Sequence, residues 1–146
     1  GSEHRFDYSV IGDDVNLASR LEGANKFFGT NIMASEATIE HSKGAVEARE
    51  LGRVRVVGKA GPIRVYQPLA RKGDLSEDWK KVIPRYTEGI ACYNRRDYPG
   101  ALGCFEDVLS VFPEDGPSLL YVKLAGDYAA LPPPEEWDGV FNLTEK

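Results

Sequence analysis

The chain has 146 residues and a formal net charge of -5, with 42% hydrophobic and 28% charged residues. Such proportions mark a soluble globular protein rather than a disordered one, and the length allows one ordinary domain or two small ones. No basic block is present to track a nucleic-acid backbone, and no apolar run approaches the length needed to cross a bilayer.

Gly1-Ser2 reads as the scar of a cleaved tag, and no signal peptide follows it. The start at Glu3-His-Arg-Phe lies almost inside a strand, so a fragment of a longer polypeptide is expected. Phe6, Tyr8 and Val10 alternate with Asp7, Ser9 and Ile11, the period of a strand over about 6–11. Gly12 permits a sharp turn, and Asp13 or Asp14 can cap a helix over 14–28. Leu17, Leu21, Ala24 and Phe28 form its apolar stripe, while Asn16 and Arg20, four residues apart, project together from another face. An arginine there can set a fork of donors against phosphate oxygens, and an asparagine can orient a sugar or base.

Gly29 suits the end of that helix, and Ser35 with Glu36 suits the start of the next. The pattern predicts a strand over 31–34, a short helix over 35–42 and strands over 46–57 and 63–68. Val54 and Val56 alternate with Arg53 and Arg55, and Gly58-Lys-Ala-Gly-Pro62 makes the hairpin connection. Alternating strands and helices give an α+β reading for residues 3–70.

Residues 71–78 form a polar linker, and 79–146 form an all-helical tail with a helical hairpin. Trp79, Val82, Ile83, Tyr86, Ile90 and Tyr93 keep helical spacing, and Pro84 should kink that helix or begin a new one. Asp97-Tyr98-Pro99 starts a second helix, and a third runs from about Ser118 to Ala130 before Pro132-Pro-Pro134. Trp137, Val140 and Phe141 are expected to fold back onto the helices or onto a neighbour. Cys92 and Cys104 lie in apolar helical contexts without metal-ligand spacing, which fits a reduced cytoplasmic protein better than a disulfide.

The ordered run from Phe6 to Glu22 resembles the second half of a class III nucleotidyl cyclase catalytic domain. The resemblance continues through Leu21-Glu-Gly-Ala-Asn-Lys-Phe-Phe-Gly-Thr-Asn-Ile-Met-Ala-Ser-Glu36 and Leu51-Gly-Arg-Val-Arg-Val-Val-Gly-Lys-Ala-Gly-Pro-Ile-Arg-Val-Tyr66, covering roughly residues 5–70. It implies the latter half of a ferredoxin-like mixed sheet. Half a sheet leaves a raw edge, so pairing with a second chain, element swapping or marginal stability is expected.

The resemblance also implies a chemistry: attack of a ribose 3′ oxygen on the α-phosphate of a nucleoside triphosphate, with pyrophosphate leaving. Arg20 then matches the family's transition-state arginine, Asn16 the ribose-orienting residue and Ser9 a purine-reading position that favours ATP. In isolation, the favoured readings are Arg20 as a surface ion pair with Glu22 or Asp13, Asn16 as a cap and Ser9 as a plain strand residue. The family's triphosphate-binding lysine aligns with Val57, leaving Lys59 as a substrate-binding candidate or a solvated hairpin lysine. The family's Mg2+ or Mn2+ is held by aspartates of the first half, so no metal ligand is assigned here, and Asp13 and Asp14 read as turn and cap residues.

On this reading the complete protein is a homodimeric adenylate cyclase, cytoplasmic apart from any membrane tether upstream. The partners are ATP and a second cyclase domain, and the present chain alone is inactive. Gly89, Tyr98, Ala101, Phe105 and Pro113 resemble one tetratricopeptide unit, although Arg85 and Val108 depart from that repeat and an ordinary helical hairpin fits as well. The alternative function is therefore a helical interaction or dimerisation module, with its own protein partner, attached to a non-catalytic cyclase remnant; Val57 makes a degenerate homologue conceivable.

Overall fold

The computed structural model describes residues 22–56 and 61–143. In chain order the elements are α1 (Glu22–Phe28), β1 (Ala34–Ser35), α2 (Glu36–His41), β2 (Val46–Val56), β3 (Ile63–Arg71), α3 (Glu77–Asn94), α4 (Tyr98–Val111), α5 (Gly116–Ala130) and β4 (Phe141–Leu143). The strands form one mixed sheet in the order β1-β3-β2-β4, antiparallel except where β4 lies parallel to β2. The architecture is α+β.

Local chemistry sets most boundaries. At the end of α1, Gly29 takes a φ of 75°, and the amides of Gly29 and Thr30 both donate to the Asn25 carbonyl. The predicted strand over 31–34 contracts to Ala34–Ser35, and Ser35 both pairs with Val65 and caps α2, accepting from the Thr38 amide at 3.2 Å. Strand β3 runs on to Arg71, beyond the expected 68. Pro68 is tolerated there because the ladder is irregular beside it, β3 stepping from Ala70 to Pro68 as β2 steps from Glu47 to Ala48, and β1 pairs only with Val65 and Tyr66.

Helix α3 begins at Glu77 under a Ser76 cap and passes through Pro84 as one helix, so the proline does not divide it. Asp97 caps α4 through the Gly100 amide, and Asp115 caps α5 through the Ser118 amide. Helix α5 starts two residues before the expected Ser118, since Pro117 is well suited to a first turn.

The helices after residue 76 share one core with the sheet. Phe28, Leu51, Val54 and Val65 pack in the same buried cluster as Tyr86, Phe105, Val108, Tyr121 and Ala125. Phe105 stacks on Tyr121 at 5.0 Å between ring centres and meets Tyr86 edge-on at 5.4 Å. The buried tyrosines are satisfied from the sheet: Tyr86 donates to the Glu50 carbonyl at 2.8 Å, and Tyr121 donates to the Leu51 carbonyl. Helices α3 and α4 approach closely at Gly89, where a Cβ would fall 2.9 Å from the Phe105 ring.

The C-terminal segment returns to this core. Trp137 packs on Tyr128 at 5.3 Å, and Val140 and Phe141 are buried. Beyond the expected packing, Phe141–Leu143 adds a strand along the edge of β2 opposite Val54–Val56.

Candidate functional site

Ser9, Asn16, Arg20 and Lys59, together with Asp13, Asp14 and Val57, lie outside the described residues. What the structure shows is the frame that holds their neighbours. The described part of α1 starts at Glu22, two residues after Arg20, and the arms of the β2–β3 hairpin bracket residues 57–60.

Beside the hairpin, Arg64 on β3 lies 3.5 Å from both the Glu36 and Glu50 carboxylates. Burial raises the Glu50 carboxyl, opposed by the charges of Arg64 and Arg53. Burial also raises the Tyr66 phenol, helped by the negative charges of Glu50 and Glu36. This half-exposed network supplies two carboxylates and a guanidinium, but among the described residues no group of three or more His, Cys, Asp or Glu could hold a metal ion. The described residues therefore do not fit the Mg2+ or Mn2+ that cyclase chemistry implies.

A second charged group was not foreseen. Arg49 and Asp115 form a two-pronged ion pair at 2.6 and 2.9 Å, with side chains only 2% and 7% exposed. Arg49 also donates to Gln67 at 2.7 Å, and its guanidinium lies 4.7 Å from the ring centres of Trp79 and Tyr86. Burial alone would raise the Asp115 carboxyl, but Arg49 and Ser118 together hold it below its ordinary value. Every polar arm of the pair is engaged within the protein, which makes it a structural tie between β2 and the start of α5.

The sequence pattern points Arg49 the other way. Counting outward from Arg53 and Arg55 places it on the solvent face, whereas the irregularity between Glu50 and Gly52 shifts the register by one residue. Upstream of that bulge, Arg49 therefore shares the core face with Leu51.

Two small cavities open beside α3. One of about 200 Å³ is lined by Glu50, Tyr86, Thr87, Ile90, Ala91 and Asn94. The other, of about 50 Å³, lies among Arg53, Tyr93, Arg96 and Trp137. Neither cavity is lined by a predicted site residue. The Cys92 thiol is pushed up to about 11, first by burial and then by the Glu88 carboxylate beside it, so it is not a thiolate nucleophile at neutral pH.

Comparison with known proteins finds adenylate cyclases. The adenylate cyclase, terminal-differentiation specific, of Dictyostelium discoideum is 30% identical over 127 residues, which is 84% of this chain and 6% of that protein. Adenylate cyclase 1 of Rhizobium meliloti is 40% identical over 67 residues, 46% of this chain and 10% of the relative. The adenylate cyclase of Anabaena cylindrica is 37% identical over 73 residues, 48% of this chain and 14% of the relative. The chain is related to adenylate cyclases over part of its length.

It spans only a small fraction of each of these relatives. No family model matches, and no solved structure matches. The Dictyostelium match is longer than the sheet region, so it runs on into the helices that pack against the sheet. Among the described residues no helix is long and apolar enough to cross a membrane.

Proposed function

We propose that residues 3–70 are the latter half of a class III adenylate cyclase catalytic domain, in a protein that converts ATP to 3′,5′-cyclic AMP and pyrophosphate. The observation that carries this reading is similarity to three proteins named adenylate cyclase, on a chain whose first residues follow the cyclase pattern in order. Arg20 faces the α-phosphate and the departing pyrophosphate, where negative charge grows in the transition state. Asn16 hydrogen-bonds the ribose, so that the 3′ hydroxyl is held in line with the α-phosphate. The Ser9 hydroxyl accepts from the adenine amino group, and Lys59 binds the triphosphate in place of the lysine that Val57 replaces.

Divalent metal supplies further charge neutralisation in such enzymes, and its ligands come from a first half-domain that pairs with this one. The test is cyclic nucleotide formation from ATP and from GTP with Mn2+, for this chain alone and after addition of a matching first half-domain. The expected result is no product alone and cyclic AMP in the mixture, with ATP preferred over GTP. An inactive mixture of two folded halves contradicts the proposal.

A tetratricopeptide-like role for α3 and α4 is supported by the close approach at Gly89. In that reading the tail also recruits a protein partner or a dimer mate. Charge-introducing substitutions at Thr87 and Ala91, which are exposed on α3, would then weaken association while leaving the shared core in place.

A further inference from the structure

The turn that ends α1 is gripped by elements from the far end of the chain. The first residue of α5, Gly116, lies backbone to backbone on that turn. A Cβ on Gly116 would fall 2.6 Å from the carbonyl oxygens of both Phe28 and Gly29, and one on Gly29 would fall 3.1 Å from the Gly116 Cα. Only two glycines allow this approach. The preceding residue is Asp115, fixed by the buried pair with Arg49 and by its bonds to the Ser118 amide and hydroxyl.

The side chains of α1 are held as well. Phe28 is fully buried, and the rings of Phe27 and Phe28 lie 5.0 and 5.8 Å from that of Phe141 on β4. The end of α1 is thus enclosed by α5, β4 and β2, of which two lie beyond residue 115.

Arg20 is two residues before Glu22, so its backbone stays within about 7 Å of the start of α1 by covalent reach alone. Leu21 alone separates Arg20 from Glu22. On the cyclase reading, we infer that the helical tail is a positioning element of the active site, with Gly116 the contact through which α5 sets α1 and hence turnover. Misplacement of a catalytic group by about 1 Å costs on the order of a hundredfold in rate, so a small backbone clash is enough to register.

The experiment compares Gly116→Ala with Gly126→Ala in the complete protein. Gly126 lies on the same helix, and a Cβ there meets nothing within 4 Å. Two quantities are read: cyclic AMP formation at varied ATP, and hydrogen exchange of the Gly29 and Thr30 amides, which close the end of α1. Gly116→Ala should lower kcat about tenfold or more while leaving KM within about twofold, and should speed exchange at those two amides. Gly126→Ala should change neither.

Faster exchange with an unchanged kcat would overturn the control of turnover. Unchanged exchange and unchanged kcat would overturn the contact itself. A wild-type protein that makes no cyclic nucleotide defeats the cyclase reading and this inference with it; that failure shows without any variant, so the two are separable.

Discussion

The Arg49–Asp115 pair concentrates two opposite charges where almost no water reaches them. A buried pair of this kind is weak evidence of net stability, but removing one partner leaves the other charged and alone. Asp115→Asn or Arg49→Ala should each cost about 3–5 kcal/mol in chemical denaturation. The double change Arg49→Met with Asp115→Leu should recover most of that loss.

The pH dependence of this pair follows from the direction of its shift. The Asp115 carboxyl is held below its ordinary value, so its contribution is present above the unfolded value of about 3.9 and is lost as pH falls through the folded value. The double variant should therefore lose part of the acid-induced drop in stability. Glu50 runs the other way. Burial raises its carboxyl, so its contribution is present below about 4.3 and is lost as pH rises through the raised value. Glu50→Gln should raise the denaturation midpoint at pH 7 and change it little at pH 4.

At the scale of elements, the hairpin of β2 and β3 carries the bulge that turns Arg49 inward. Gly52 is essential to it: its φ is 148°, and a Cβ would fall 2.7 Å from the Tyr121 hydroxyl and 3.2 Å from the Phe141 ring. Gly52→Ala should cost about 1–3 kcal/mol by overpacking, measured by thermal or chemical unfolding. Gly103→Ala, in α4 with open space around it, should instead stabilise by up to about 1 kcal/mol.

Helix ends and hairpin arms were legible in the sequence because local chemistry decides them. Gly29, Ser35, Asp97 and the alternation of Val54 and Val56 each act within a few residues. The inward arginine and strand β4 were not legible. The first depends on a bulge whose glycine reads from sequence as an ordinary strand residue, and the second on an edge of β2 that lies more than eighty residues earlier in the chain. The passage of α3 through Pro84 was open for the same reason, since packing of Val82, Tyr86 and Ile90 into the core decides it.

Over the whole molecule, sheet and helices are tied by the tyrosine bonds to β2, the Arg49–Asp115 pair and the β4 strand. The sequence divides the chain at a polar linker, and the contacts on either side of that linker cross it repeatedly. The candidate site reads as a motif, in the order of Ser9, Asn16 and Arg20, which lie outside the described residues; the proposed chemistry rests on that motif and on relatives named adenylate cyclase.

The most direct measurement is steady-state cyclic AMP formation by the complete protein, wild type against Arg20→Ala, with nucleotide binding measured in parallel. Stabilisation confined to the transition state predicts a fall in kcat of about 10²–10³-fold with ATP affinity nearly unchanged. Equal turnover in the two proteins would contradict the account.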